Sequence, residues 1–235
     1  MTMLPESVEL AAASGILAKL SALQRSVLLL PGFLNDAAAR QVLYQAEDRP
    51  QFVGLIVEGF LRVFIAGATS GRESTIRYVR PGDLLGVVAA LSGPSGTSVQ
   101  TLRDSRIWMV EAAALRANAQ TDIQIAWLIA QECANRVAAL VDEVAGSAFA
   151  SVKRRIAHHL LHMAQSRSSE PYLVARITQT DLANAAGTVR EVSVRELRTL
   201  RSEGLIRPSR EGIAILNAEG LQRIAAEAFK AGYGT

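Results

Sequence analysis

The feature of the sequence that most constrains its fold is a polar segment, TQTDLANAAGTVREVSVRELRTL, which begins at Thr178. Thr178 with Asp181, and Thr188 with Glu191, have the three-residue spacing of a capping box at the start of a helix. Gly187 lies between the two pairs and can adopt the left-handed backbone conformation that a sharp turn requires. The segment therefore predicts two short helices joined by a tight turn.

Each of the two predicted helices has one apolar face. The positions expected to be buried are Leu182, Ala185 and Ala186 on the first helix and Val192, Leu197 and Leu200 on the second. The positions expected to be exposed on the second helix are Arg190, Glu191, Arg195, Arg198 and Arg201. A short helix, a glycine turn and an arginine-faced second helix are typical of a helix-turn-helix, whose second helix enters the major groove of DNA. The alternative is an ordinary helical hairpin with a charged, solvated face.

The residues that follow favour DNA binding. The run RPSREGIAIL has turn residues at Pro208 and Gly212 and then alternating apolar positions, so it predicts a β-hairpin. A recognition helix followed by a basic hairpin is a winged helix-turn-helix. Residues 150–235 carry 13 Lys and Arg against 8 Asp and Glu, whereas the whole chain has a formal net charge of only +3. The basic end is therefore the end that would contact DNA phosphates.

The run from Arg190 to Arg195, preceded by Gly187-Thr188-Val189, resembles the DNA-binding domain of the Crp/Fnr family of bacterial transcription regulators. The resemblance covers about residues 15 to 225. It implies an α+β fold with an N-terminal antiparallel β-roll (jelly-roll-like), a long dimerisation helix and a C-terminal winged helix-turn-helix. The expected domains are a sensing β-roll at 1–121, the dimerisation helix and hinge at 122–146, and the DNA-binding domain at 147–235. The DNA-contacting residues that it implies are Thr178, Thr180, Thr188, Arg190, Glu191, Ser193, Arg195 and Arg198.

The part of the chain between Gln41 and Glu111 supports the β-roll independently of the resemblance. Its short β-like runs are QVLYQ, FVGLIVEG, LRVFIAG, STIRYV, TSVQTL and RIWMVE, with turn residues between them. Many short strands with regular turns predict an antiparallel barrel or jelly roll. The run VRPGDLLG resembles the tight turn that precedes the phosphate-binding cassette of the family.

A long helix is predicted from Asp122 to Gly146. Its first apolar stripe alternates by four and three over about three heptads, enough to pair with a second copy of the chain; it consists of Ile123, Trp127, Ala130, Ala134, Val137, Val141 and Val144. A second stripe, formed by Ile125, Leu128, Ile129, Ala139 and Leu140, could pack on the β-roll. Two stripes favour a helix with two partners over one packed only on its own β-roll. A hinge is expected at Gly146-Ser147-Ala148.

The resemblance also implies an effector pocket between the β-roll and the long helix. Its expected lining is Val87, Val88, Thr97, Ser98, Leu140 and Val141. Members of the family that bind cyclic AMP have a Glu, an Arg-Ser pair and a Thr-Ser pair at the matching positions, and of these only Ser98 is kept. Without the arginine, a cyclic phosphate has no charged partner in this lining, and its burial would be costly. We therefore expect a more apolar effector than cyclic AMP, or no effector.

The sequence lacks the residues that metal-binding, disulfide-rich, catalytic or membrane-spanning proteins need. The lone Cys133 excludes a disulfide framework and an iron–sulfur cluster, and fits a reducing compartment. His158 and His162 could share a helix face, but no carboxylate completes a metal site, so we expect no metal, no cofactor and no catalytic residues. No apolar run reaches the roughly 18 residues of a membrane span, and the N-terminus does not resemble a signal peptide.

The expected protein is a cytoplasmic homodimer that binds double-stranded DNA, with RNA polymerase as a further partner and an unknown effector. The alternative is a β-roll enzyme or ligand-binding module with an appended adaptor domain.

Overall fold

The computed structural model describes residues 3–67, 73–167 and 170–226. The chain divides into two compact units, one of Met1–Ala66 with Ile76–Leu140 and one of Gly67–Thr75 with Val141–Thr235. The fold is α+β, with antiparallel sheets in the N-terminal half, one long helix, and helices with a small sheet in the C-terminal half. The predicted fold class is confirmed.

The N-terminal half combines short helices with two four-stranded sheets. Its helices are α1 (Glu6–Ser14), a 3₁₀ turn (Ile16–Lys19), α2 (Ala22–Leu29), α3 (Val87–Ser92) and α4 (Ala112–Thr121). Its strands are β1 (Phe33–Ala37), β2 (Val42–Tyr44), β3 (Phe52–Glu58), β4 (Leu61–Ala66), β5 (Glu73–Val79), β6 (Leu84–Leu85), β7 (Ser98–Thr101) and β8 (Ser105–Glu111). The strand orders are β1-β8-β3-β6 in one sheet and β2-β7-β4-β5 in the other.

Strand β3 shows how the core of the β-roll is built. Val53, Leu55 and Val57 belong to a core cluster that includes apolar residues of α1, α2 and α4. Ile56 points the other way and belongs to a second cluster with Ile107 of β8. Because successive side chains of a strand face opposite sides, this run is buried on both faces and has no polar alternation.

The predicted turn before the cassette is present. The backbone N–H of Arg80 donates to Asp83 Oδ2 at 2.8 Å, and Gly82 has φ +90°. Gly86, with φ +80°, starts α3 in the left-handed conformation that only glycine adopts without strain. The turn and the second glycine together bring α3 directly after β6.

The long helix α5 runs from Ile123 to Phe149. Asp122 precedes it, and its Oδ1 accepts hydrogen bonds from the backbone N–H groups of Gln124 and Ile125 at 2.8 and 3.3 Å. The expected hinge at Gly146-Ser147-Ala148 is not seen as a break, since the backbone stays helical to Phe149. One glycine in a helix costs only about 1 kcal/mol relative to alanine, which a long helix tolerates.

The C-terminal half is a set of helices on a small sheet. Its elements are α6 (Val152–Met163), β9 (Ala164–Arg167), β10 (Glu170–Ala175), α7 (Gln179–Ala185), α8 (Arg190–Ser202), β11 (Ile206–Ser209), β12 (Gly212–Ile215) and α9 (Ala218–Ala226). The strand order is β11-β12-β10-β9, and β11 and β12 form the predicted hairpin. Fully buried side chains from four helices form the core; they are Ile156, Leu160, Leu182, Leu200 and Leu221.

The helical patterns at 6–20 and 149–165 and the strand pattern at 172–177 predict α1, α6 and β10. The elements that the sequence did not predict are β1, β6, β9, α2, α3 and α4. Strand β1 has the sequence FLNDA, in which Asn35 and Asp36 disfavour a strand. Its antiparallel pairing with β8 stabilises the extended conformation despite this composition. The amphipathic pattern at the end of the chain predicts a helix from Ala218 to Phe229. Its first part is α9, and residues 227–229 lie outside the described residues.

Candidate nucleic-acid interface and effector pocket

The turn between α7 and α8 is fixed by its first helix and its glycine. Thr178 is the N-cap of α7, and its hydroxyl accepts the backbone N–H of Asp181 at 3.0 Å, as predicted. Gly187 has φ +59°, the left-handed value expected for a tight turn. The backbone N–H of Thr188 then donates to Ala183 O at 2.9 Å, which holds the chain before α8 against α7.

The predicted cap of α8 is wrong. The N-cap is Val189, with no side-chain cap hydrogen bond, and the helix begins at Arg190. Thr188 lies one residue before the N-cap, so it and Glu191 do not have capping-box spacing in the observed helix. The error comes from the sequence spacing, which matches a capping box although the turn ends one residue later.

The faces of α8 differ from the prediction at two adjacent positions, Val192 and Ser193. The buried stripe consists of Ser193, Leu197 and Leu200, with spacings of four and three, whereas Val192 is only half-buried. Ser193 was expected to contact DNA, but it is fully buried, and its hydroxyl has no hydrogen-bond partner among the described residues. At 100° per residue, Ser193 lies on the stripe of Leu197 and therefore cannot belong to the exposed face.

The exposed face of α8 contains the predicted charged residues. Those that are exposed are Arg190, Glu191, Arg195, Arg198 and Arg201. Arg195 is paired with its neighbour Glu196 at 3.2 Å, but its side chain remains 71% exposed. An exposed pair of this kind contributes little and is easily exchanged for another partner. Thr178 and Thr180 are also exposed, at the start of α7, although the Thr178 hydroxyl is occupied as the cap.

Two residues of α6 hold the turn, and sequence reasoning missed both. Arg155 donates from Nε to Ala186 O at 2.8 Å and from Nη1 to Ala150 O at 2.9 Å. His159, one turn further along α6, is buried and hydrogen-bonded to the backbone of Ala185. Burial, with the neighbouring cationic groups of α6, lowers the pKa of His159 to about 3. The imidazole is therefore neutral at physiological pH and fixes the end of α7.

The wing carries its own cation. The Arg207 guanidinium lies 4.5 Å from the centre of the Tyr172 ring and is hydrogen-bonded to the Tyr172 hydroxyl. Arg207 on β11 and Arg210 in the hairpin turn are both exposed. Stacking keeps the planar guanidinium of Arg207 in place, which leaves its outer edge available for a phosphate.

A cavity of about 390 Å³ lies within the N-terminal unit, beside α3 and α5. Three of the predicted pocket residues line it: Val88, Thr97 and Leu140. Val87 does not, because consecutive residues of a helix point about 100° apart, and Val87 is fully buried in the core cluster. Ser98 and Val141 are also not among its lining residues, and Val141 is 59% exposed.

The cavity contains two guanidinium groups that the predicted lining lacked, Arg77 of β5 and Arg136 of α5. Both donate to the carbonyl oxygen of Leu84, from Nη2, at 3.2 and 2.8 Å. Arg136 also pairs with the buried Glu132 at 2.7 Å. Burial, with a smaller effect of Arg136, lowers the pKa of Arg77 to about 10. The expectation that the pocket has no cation to offer a phosphate is therefore wrong.

Comparisons with known proteins agree with this architecture. Two family models match, described as the cyclic nucleotide-binding domain over residues 35–122 and the Crp-like helix-turn-helix domain over residues 154–224, which together span more than half of the chain. The chain belongs to the Crp/Fnr family. It is a DNA-binding transcription regulator and not an enzyme.

The chain is also similar, at low identity, to curated transcription regulators, and it shares its fold with a solved structure. The cAMP-activated global transcriptional regulator Vfr of Pseudomonas aeruginosa is 24% identical over 72% of this chain and 82% of its own length. The transcriptional regulator SdrP of Thermus thermophilus is 27% identical over 72% and 82%. The structure of FixK2 from Bradyrhizobium japonicum superposes with a TM-score of 0.71 at 21% identity, over 84% of this chain and 98% of that chain.

The outer face of α5 has the apolar stripe expected for a Crp/Fnr regulator. All seven predicted stripe residues are exposed, with Ile123, Trp127 and Val137 at 77%, 63% and 62%. The opposite face is buried through Ile125, Leu128 and Ile129. Among the described residues, no cluster of three or more His, Cys, Asp or Glu could hold a metal ion. No helix in that part of the chain is long and apolar enough to cross a membrane.

Proposed function

We propose that this regulator acts as a homodimer that binds a palindromic operator in the cytoplasm, with one α8 helix in the major groove of each half-site. The observation that carries this proposal is the exposed apolar stripe of α5. Contiguous exposed apolar surface is rare on monomeric proteins and marks an interaction site. Because the stripe repeats by four and three, a second copy of the same helix fits it.

We propose that each of the expected domains has one role. Residues 1–121 sense an effector, 122–146 form the dimer axis, and 147–235 bind DNA. A dimer axis at α5 is compatible with two recognition helices about 34 Å apart, which is one turn of DNA. RNA polymerase is the further partner that we propose, because regulators of this family act on transcription.

We propose that three residues at the start of α8 read the bases. Arg190 and Arg195 would each contact a guanine, since a guanidinium can bond O6 and N7 together, and Glu191 would accept a hydrogen bond from a cytosine amino group. All three side chains are exposed on one helix, two of them in its first turn. The expected half-site is TGTGA-like.

The experiment is a gel shift with a duplex that carries two such half-sites one turn apart, measured against a scrambled duplex of equal length. Arg195→Ala should cost about 1–3 kcal/mol on the palindrome and relax the preference at one base position. Arg223→Ala is the matched control, because it removes an equal charge from an exposed position on α9. If Arg195→Ala bound both duplexes as the parent does, the assignment of α8 would be wrong.

The effector is proposed to occupy the cavity beside α3 and α5. Its apolar lining fits a small molecule with an apolar body, and its volume of about 390 Å³ is within the roughly 300–1,000 Å³ of small-molecule sites. The alternative, a platform whose aliphatic side chains close the space, is disfavoured because the cavity is open. Cyclic AMP is not the proposed effector, since Val87 is in the core and Thr97 stands where the family has its phosphate-binding arginine.

A further inference from the structure

The cavity is mostly apolar but contains one cation, Arg77, that forms no ion pair among the described residues. Asp83 and Glu132 attract its charge from outside the cavity lining. The cavity walls include Val63, Ile76, Val88, Val99 and Leu140. Among the described residues, Arg77 makes one hydrogen bond, to the Leu84 carbonyl, and no ion pair. A guanidinium has five N–H donors, so most of the hydrogen-bonding capacity of Arg77 is unused by the protein.

The second arginine of the cavity, Arg136, differs from Arg77 because it has an ion-pair partner. Arg136 forms a salt bridge with Glu132, whose side chain is 12% exposed, and this pair is four residues apart on α5. The only carboxylate that lines the cavity is Asp48, which is exposed and accepts the backbone N–H of Gln45 at 2.7 Å. Of the two arginines that line the cavity, Arg136 is therefore in an ion pair and Arg77 is not.

A partly buried cation in apolar surroundings is costly unless an anion joins it. The position of Arg77 on β5, beside α5 and next to Leu85 and Gly86 in the cavity wall, holds its guanidinium at the cavity rather than at the outer surface. An arginine fork matches a carboxylate in a bidentate geometry, with two parallel N–H···O bonds. The guanidinium of Arg77 is thus placed to bind an anionic group of a ligand.

We propose that the cavity binds a small organic monocarboxylate, with its carboxylate on Arg77 and its apolar body between β4, β7 and α5. This proposal rests on the proposed role of the cavity as the effector site. A monoanion balances the single unpaired charge, whereas a phosphomonoester dianion would leave a negative charge in an apolar wall. A cyclic phosphodiester is also a monoanion, so it shares the charge but needs polar partners for its base and sugar.

The experiment is calorimetry on the full chain with matched probe pairs, octanoate with octanamide and phenylacetate with phenylacetamide. Each amide has the shape of its acid but no charge. At least one acid should bind roughly tenfold or more tightly than its amide, because a charge-assisted hydrogen bond is stronger than a neutral one. Cyclic AMP is the third arm and should give no saturable isotherm.

Variants of Arg77 test whether this residue causes the preference for the acid over the amide. Arg77→Gln keeps a donor for the Leu84 carbonyl and should make acid and amide bind equally, while Arg77→Lys should keep the preference for the acid. Arg80→Gln is the control, because Arg80 is exposed, three residues further along, and does not line the cavity. Circular dichroism of each variant confirms that it is folded.

Three results would overturn the proposal: no saturable isotherm for either acid up to about 10 mM, equal affinity of acid and amide in the parent, or a preference for the acid that survives in Arg77→Gln. Saturable binding of cyclic AMP alone would also overturn it and would favour a nucleotide. These measurements contain no DNA, so a failure here is distinct from a failure of the gel shift.

Discussion

Replacement of Val137 by glutamate tests the dimer at the centre of the exposed stripe of α5. The side chain is 62% exposed in the single chain, so the change should be tolerated by the fold and should act on association. In a parallel pair of α5 helices, Val137 of one protomer faces Val137 of its partner. The variant therefore loses two apolar contacts and gains two carboxylates that face each other.

The magnitude follows from burial and charge. Full burial of a valine side chain contributes about 1.5–3 kcal/mol, and about three fifths of that remains available at Val137, which gives roughly 2–4 kcal/mol for two protomers. Two carboxylates about 8 Å apart repel by about 2 kcal/mol at an effective dielectric constant of about 20. The sum, roughly 4–6 kcal/mol, weakens the dimer about 10³–10⁴-fold.

Analytical ultracentrifugation at micromolar concentration should show the parent as a dimer and Val137→Glu as a monomer, and the monomer should bind the palindrome poorly. Val27→Glu is the matched control, because Val27 is also an exposed helical valine, at 49%, but lies on α2. The control should stay dimeric. A Val137→Glu variant that remained fully dimeric would refute the assignment of α5 as the dimer axis.

Three further predictions concern stability. Arg155→Ala should destabilise the chain by about 1–3 kcal/mol in urea unfolding and also weaken DNA binding, since the Ala186 carbonyl loses its donor. Val87→Glu should cost about 3–5 kcal/mol, because it buries a carboxylate in the core, whereas Val88→Glu at the cavity wall should cost less; equal costs would contradict the placement of Val87. His159 has its folded pKa depressed to about 3, below an unfolded value of about 6.5, so the unfolded state binds more protons between these values. Stability should therefore fall by about 2 kcal/mol from pH 7.5 to pH 5 in thermal or urea unfolding, and His159→Gln should flatten that dependence.

The DNA-reading half could be predicted because its signals are local. The cap at Thr178, the glycine turn at Gly187 and the charged positions of α8 each depend on residues within one or two helical turns. Two predictions failed there: the cap at Thr188, since the N-cap of α8 is Val189, and the exposure of Ser193, which was an error of phase. The stripe was assigned from Val192 with a spacing of five to Leu197, whereas the helix uses Ser193 with a spacing of four.

The pocket could not be predicted as well, because its lining comes from residues far apart in the sequence. The six expected residues came from a resemblance, and the resemblance carried no information about Arg77 and Arg136. Two local signals could have found them. Arg77 lies two residues before the buried Val79, on the same face of β5, and Arg136 lies seven residues, or two turns, after the buried Ile129 of α5.

The helix α5 connects the proposed effector site with the proposed dimer axis through adjacent residues. Leu140 lines the cavity, and its neighbour Val141 belongs to the exposed stripe. Likewise, Arg136 lines the cavity and its neighbour Val137 belongs to the exposed stripe. A ligand that binds one arrangement of α5 more tightly than another must shift the population toward it, and the linkage is reciprocal, so dimer formation must then change ligand affinity by the same factor. An anion bound to Arg77 would act on α5 through Arg136. Both guanidinium groups donate to the Leu84 carbonyl, and Arg136 also forms an ion pair with Glu132 on α5.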